Sequence, residues 1–310
     1  MRFSFPEGRT DKPVVLGIGV FDGVHPGHRK IVAELLEMGR KLDAVPVAVT
    51  FFPHPREILC PASPPRLLLP PDERVRRLHA AGAEKVEIIE FSAEAASTSP
   101  EVFLDELLAA HRAVRGICVG EHWRFGCGGS GDTKFLADAL ARRGIAFVAV
   151  PEVRIGGVIV SSSAIREAVA AGNISGAAEM LGELPCLFGE VEAGTGVAGS
   201  RLRAPTANLR VDFGVLPPNG VYAGWVEFDG NRFAAVTNIG FSPTFGGTAK
   251  RRVESHLIGF SGDLYGMRLV VQMAAFIRGE RAFGKVEYLE RQIRADREKT
   301  LELLSGVERR

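Results

Sequence analysis

Two histidines, His25 and His28, close the run Gly19-Val-Phe-Asp-Gly-Val-His-Pro-Gly-His28, which follows an apolar stretch and opens a helical pattern. Imidazoles at this spacing on a helix start share one side of it. With the unbonded N–H groups of a first helical turn they make a site for phosphate oxygens. Gly23 and Gly27 let the backbone approach a ligand closely. Further on, Ser161, Ser162 and Ser163 precede Arg166. Taken alone, that segment reads as a serine-rich helix cap with a solvated arginine. A third group is Pro205-Thr206-Ala207-Asn208, followed by Val253-Glu254-Ser255-His256-Leu257. In isolation these are a turn and an outward-facing strand residue. The glycine-rich segment Gly126–Gly131 lacks the strand–turn–helix register of a dinucleotide fingerprint and is set aside.

Elements must hold these groups. Residues 14–20 form an unbroken apolar run, followed by a glycine-rich turn and helical spacing at Ile31, Val32, Leu35 and Leu36. Strands are predicted at 45–51, 114–119 and 145–150, and helices at 101–112 and 133–143. Continuous apolar strands alternating with amphipathic helices predict a doubly wound parallel sheet, with its ligand site at the carboxyl ends of the strands. Near residue 185 the pattern changes. Val221–Phe228 and Arg232–Asn238 flank Asp229-Gly230, a hairpin signal. Strand-like segments at 253–259 and 267–278 then predict a small antiparallel β-barrel. The spacing of Val286, Leu289, Ile293 and Leu301 predicts a closing helix over 286–304. The domain boundary is drawn between 184 and 185. Cys60–Pro71, with five prolines, reads as a rigid surface loop.

Bulk composition narrows the class. The chain has 310 residues, 46% hydrophobic and 24% charged, with a net charge of +1. That is globular composition with no electrostatic case for nucleic acid or an anionic membrane. No apolar run approaches the roughly 18 residues of a membrane span. The N-terminus has no signal-peptide pattern. Cys60, Cys118, Cys127 and Cys186 show no metal or disulfide spacing, which suits free thiols in a reducing, cytoplasmic setting.

The run ending in His25-Pro-Gly-His28 after a strand resembles the nucleotidylyltransferase superfamily, a Rossmann-like fold. There the two histidines steady the α-phosphate of ATP. Val160-Ser-Ser-Ser-Ala-Ile-Arg166 is similar to the superfamily's hydroxyl-rich signature, whose arginine serves the leaving pyrophosphate. Adding Gly120-Glu-His-Trp-Arg-Phe-Gly126 and Gly131-Asp132, the first half resembles bacterial FAD synthetases. The resemblance implies adenylyl transfer from ATP to FMN. FMN's phosphate is mostly dianionic near neutral pH, so the enzyme must neutralise charge rather than supply a base. Three positions depart from the family pattern. Phe52 stands where an acidic residue is usual, His122 where Asp or Asn is, and Trp123 where Phe is.

The Thr206–Asn208 and Glu254 segments resemble the riboflavin kinase family. There the threonine and asparagine sit by Mg²⁺ and the ATP phosphates, and the glutamate is the catalytic base. A carboxylate suits this reaction because the ribityl 5′-hydroxyl is a poor nucleophile. Few, hard oxygen donors suit a Mg²⁺ that keeps waters and phosphates as ligands. Gly194, Gly196 and Gly199 can cradle phosphates through backbone amides. Ser200 and Arg203-Ala204 replace an arginine and a Gly-Phe pair usual in the family, and Arg201 is a candidate substitute for the arginine. The two resemblances together imply a bifunctional enzyme acting on riboflavin, FMN and ATP, with Mg²⁺. The alternative keeps only adenylyl transfer, the second domain being a degenerate flavin-binding module.

Overall fold

The computed structural model describes residues 12–192, 206–241 and 251–307. Their contacts separate into two compact units, Met1–Pro65 with Pro70–Ser161, and Arg66–Leu69 with Ser162–Arg310.

The first unit is built on β1 (Val14–Ile18), β2 (Val45–Phe52), β3 (Lys85–Glu90), β4 (Val114–Gly120) and β5 (Ala146–Val150). These strands pair in parallel in the order β3-β2-β1-β4-β5, the doubly wound arrangement that the sequence predicts. All five residues of β1 are buried, as expected of a central strand covered on both faces. Helix α1 (Pro26–Leu42) returns the chain from β1 to β2 and buries Ile31, Val32, Leu35 and Met38. Between later strands lie α2 (Pro55–Leu59), α3 (Pro71–Ala80), α4 (Ala93–Ala96), α5 (Pro100–Ala109) and α6 (Thr133–Ala141), and a short hairpin of β6 (Arg154–Ile155) and β7 (Val158–Ile159) follows β5. The core joins Leu16, Ile18, Val47, Val49, Ile117 and Val119 to Phe103, Leu104 and Leu107 of α5. Each such side chain contributes roughly 1.5–3 kcal/mol when fully buried. Strand order reverses between β1 and β4, so the crevice of this sheet opens beside the turn that carries His25 and His28.

The second unit begins with α7 (Ser162–Ala170) and α8 (Ile174–Leu181). Six strands follow: β8 (Cys186–Glu192), β9 (Thr206–Phe213), β10 (Gly220–Phe228), β11 (Asn231–Phe241), β12 (Arg251–Leu257) and β13 (Arg268–Arg278). They form a closed antiparallel barrel in the order β10-β11-β12-β9-β8-β13. The β10–β11 turn is Asp229-Gly230, with φ of 45° and 74°. Two successive positive φ values define the hairpin turn that this dipeptide favours. Helix α9 (Val286–Val307) packs on the barrel, where Leu304 meets Ala223 and Trp225.

The surface-loop reading of Cys60–Pro71 holds only for its first half. Leu67, Leu68 and Leu69 are buried, and Gly214 N donates to Leu67 O at 2.8 Å. Arg66–Leu69 thereby belongs to the second unit, although its neighbours on both sides belong to the first. Three consecutive leucines have no period to betray a partner, whereas the prolines before them do read as loop.

Candidate active sites

The turn after β1 is shaped by its backbone. Phe21, Gly23 and Val24 have φ of 53°, 99° and 44°. Glycine takes such a value freely, whereas the β-branched Val24 does so at a cost of order 1–3 kcal/mol. Phe21 and Val24 are almost fully buried, and that packing holds the strain. The turn delivers His25 to the N-cap of α1, where its Nδ1 accepts from His28 N at 3.4 Å. The His28 ring stacks on that of His25, centroids 3.6 Å apart and planes 20° apart. Phe21 meets His28 edge-on at 5.3 Å. A Cβ on Gly27 would lie 3.2 Å from the His25 ring and 3.7 Å from Val160 O, so this glycine lets three segments converge. The result is two imidazoles and a helix N-terminus at the carboxyl end of β1, an arrangement suited to binding phosphate oxygens.

Beneath this turn lies a cation that the sequence reading missed. Arg74 of α3 is 1% exposed, and its Nη1 donates to Phe51 O at 3.0 Å. Burial lowers its pKa, opposed by the charges of Asp22 and Glu57. Asp22 is itself fully buried in the histidine turn. Thr50 Oγ1 ties the end of β2 to the same turn by donating to Val20 O at 2.8 Å.

Ser161 ends the first unit, while Ser162, Ser163 and Arg166 lie at the start of α7 in the second. Arg166 Nε donates to Arg66 O at 2.8 Å. Trp123 stacks on Phe125 at 4.6 Å just after β4, and His122 Nε2 lies 3.2 Å from Glu152 Oε2. The glycine-rich segment after Phe125 forms a short 3-10 turn at Cys127–Gly129.

The barrel carries the second group of candidate residues. Along β9, β11 and β12 burial alternates, so that Ala207, Thr237, Val253 and Ser255 point into the barrel. Thr206, Asn208, Asn238 and Glu254 occupy the opposite, half-exposed face. A cavity of about 240 Å³ lies against that face, with Thr206, Asn238 and Glu254 at its polar part. Val221, Val236, Phe283, Leu289 and Ile293 give it an apolar part. His256, Arg278, Glu280, Arg281 and Asp296 line it as well, so apolar surface for a ring and carboxylates able to receive a hydroxyl proton border one cavity. Gly194, Gly196 and Gly199 lie outside the described residues, as does the Ser200–Ala204 segment.

Comparison with known proteins assigns two families to successive parts of the chain. The FAD synthetase family matches residues 8–164 and the riboflavin kinase family residues 181–304. The chain is 37% identical over 286 residues to a bifunctional riboflavin kinase/FMN adenylyltransferase of Pseudomonas fluorescens, covering 91% of this chain and 90% of that protein. The chain belongs to the bifunctional riboflavin kinase/FMN adenylyltransferase family. The Escherichia coli K12 relative of the same description is 35% identical over 283 residues, covering 91% of this chain and 90% of its own length. The Bacillus subtilis relative is 28% identical over 297 residues, with 94% and 93% covered. A solved chain from Streptococcus pneumoniae, described as a macrolide-efflux protein, superposes with a TM-score of 0.84 at 29% identity, with 94% of each chain covered. Among the described residues of the present chain, no helix is long and apolar enough to cross a membrane.

The sequence names the candidate residues but not their surroundings. Arg74, Asn238 and the cavity wall from α9 were not anticipated. Asn238 carried a usable signal, since it closes the predicted strand Arg232–Asn238 one residue beyond the inward-facing Thr237 and so shares the face of Val236. Arg74 carried none, because an arginine among the charges of Asp72–Arg77 reads as solvated surface.

Proposed function

We propose that the barrel phosphorylates riboflavin to FMN, and that the FAD synthetase half transfers an adenylyl group from ATP to FMN, releasing pyrophosphate. The family assignment of both halves supports the two activities. The observation that carries the kinase reading is the cavity in which Glu254, Thr206 and Asn238 meet an apolar wall. The functional border is proposed at 184/185.

In the kinase, Glu254 takes the proton of the ribityl 5′-hydroxyl as its oxygen attacks the γ-phosphorus of ATP and ADP leaves. Thr206 and Asn208 are the proposed metal holders. Their donors are hard oxygens on one face of β9, few in number, which fits Mg²⁺. That ion supplies neutralisation of the ATP phosphates when bound. Gly194, Gly196 and Gly199 are proposed to cradle those phosphates through their amides.

In the adenylyltransferase, an FMN phosphate oxygen attacks the α-phosphorus and the bond to pyrophosphate breaks. His25 and His28 stabilise charge on the α-phosphate, helped by the amides freed by Gly23 and Gly27. Ser161, Ser162, Ser163 and Arg166 are assigned to the leaving pyrophosphate. The proposed setting is the cytosol, where ATP is abundant, and all four cysteines are free. No nucleic acid or membrane is assigned as a partner.

The test is direct. Purified protein with riboflavin, ATP and Mg²⁺ should form FMN and then FAD, followed by chromatography. FMN formed without FAD, or FAD formed only from supplied FMN, would remove one of the two activities.

A further inference from the structure

The wall of the barrel cavity is joined to the barrel by an ion pair. Arg278, the last residue of β13, reaches both carboxylate oxygens of Asp296 on α9. Its Nε lies 3.0 and 3.2 Å from them and its Nη2 lies 2.7 Å from Oδ2. Gln292 Nε2 donates to Asp296 Oδ1 at 2.9 Å, and Arg278 Nη1 donates to Gly279 O at 3.0 Å. Asp296 is only 3% exposed. It stands in the middle of one helical stripe, with Leu289 and Ile293 on one side and Thr300 and Leu304 on the other. Leu289 and Ile293 line the cavity, while Thr300 and Leu304 are buried.

An apolar stripe selects which face of a helix turns inward, but it tolerates sliding along the axis. A two-point contact between guanidinium and carboxylate has one geometry and does not. Setting registry is the best-attested use of a buried polar pair, because such pairs add little net stability over apolar replacements. The pair therefore fixes the axial position of the residues that close the cavity.

We propose that Arg278 and Asp296 are positioning residues for riboflavin phosphorylation, setting the register of α9 so that Leu289 and Ile293 close over the ring of the acceptor. This rests on the reading of the cavity as the kinase site. Both residues also border the cavity, but each spends its charge on the other, so the effect assigned to them is on acceptor binding rather than on the chemical step.

The experiment compares wild type, Asp296→Asn and the double change Arg278→Met with Asp296→Leu. Asp296→Asn should raise the riboflavin KM about 10-fold, equivalent to about 1.4 kcal/mol. Its kcat and ATP KM should stay within about twofold, the pattern of lost acceptor binding. The double variant replaces the pair by apolar groups and should melt near the wild-type temperature, yet keep the raised KM. FMN adenylylation should be unchanged in both. A riboflavin KM near wild type in either variant would overturn the inference, as would a fall in kcat with KM unchanged. If wild type makes no FMN, the kinase reading itself fails. The same variants are then compared by quenching of riboflavin fluorescence, where equal affinity would overturn the register role.

Discussion

Glu254 on β12 stands directly opposite Asn208 on β9, and on its other side directly opposite Asn238 on β11. Directly opposed residues of antiparallel strands have Cβ atoms roughly 5 Å apart and share a face. Strand pairing alone thus brings the proposed base beside the proposed metal holder, although 46 positions separate them along the chain (254 − 208). It also adds a third polar side chain, Asn238, which lines the same cavity.

Glu254→Gln keeps the size of the side chain and its place in the register while removing its capacity to accept a proton. Riboflavin phosphorylation should fall to background. Conversion of supplied FMN to FAD should remain near wild type, since that chemistry is assigned to the other half of the chain. Each half-reaction is measured separately by chromatography. Loss of both in a protein with unchanged circular dichroism would refute the two-site assignment.

Two candidate groups are legible in the sequence because their determinants are local. The histidine turn, the apolar run of β1 and the Asp229-Gly230 hairpin each announce themselves within a few residues. The missing pieces depend on distant partners. β3 (Lys85–Glu90) mixes charged and apolar residues, as an edge strand with only one neighbour can, and gave no clear period. The cavity wall needed Phe283, Leu289 and Ile293 to meet β10 and β11, a matter of tertiary packing rather than pattern. Arg74 looked like one more surface charge until its partners, Phe51 O and the charge of Asp22, surrounded it.

The histidine turn makes its own prediction. The His28 ring is held by stacking on His25 and by the edge of Phe21. On the proposed role, replacing it with alanine removes a preorganised contact to the α-phosphate, a loss that typically costs about 10²-fold or more. FAD formation from FMN should fall by that order in His28→Ala and also in Arg166→Ala, with FMN formation from riboflavin retained. Initial rates with each substrate supplied separately decide it. Unchanged FAD synthesis in either variant would make the role assigned to that residue untenable.

The thiols separate by burial. Cys60 and Cys127 are exposed, whereas Cys118 and Cys186 are buried. Burial pushes the Cys118 thiol up to about 12, with the charge of Glu34 adding to it. A maleimide at neutral pH should label Cys60 and Cys127 quickly, and Cys118 only after unfolding. The folded protein keeps the Cys118 proton where the unfolded chain, near its ordinary value of 9.0, loses it. Stability should therefore decline as pH rises above that value, by at most about 1.4 kcal/mol per unit. Urea midpoints of wild type and Cys118→Ala across this range isolate the contribution. A difference between them that is constant with pH, or rapid labelling of Cys118, would contradict the burial assigned to it.

The last prediction concerns the segment beside Thr206, Ser200-Arg-Leu-Arg-Ala204, in which the family resemblance leads one to expect a different arginine. A kinase that loses an arginine near the ATP phosphates needs another cation or binds ATP weakly, because phosphate charge must be neutralised where it sits. Arg201 and Arg203 are the cations nearest in sequence. If one of them serves, its change to alanine should raise the ATP KM of riboflavin phosphorylation several-fold, on the order of 1 kcal/mol or more for a charge-assisted contact. The ATP KM of FMN adenylylation should not move, since that nucleotide is assigned to the histidine turn. Should the segment have lost its phosphate role, wild type would phosphorylate riboflavin barely above background and neither alanine change would matter. Initial rates of both half-reactions against ATP concentration, for wild type and the two single variants, separate these cases. A wild-type kinase rate at background would leave adenylyl transfer as the chain's single activity and reduce the barrel to a flavin-binding module.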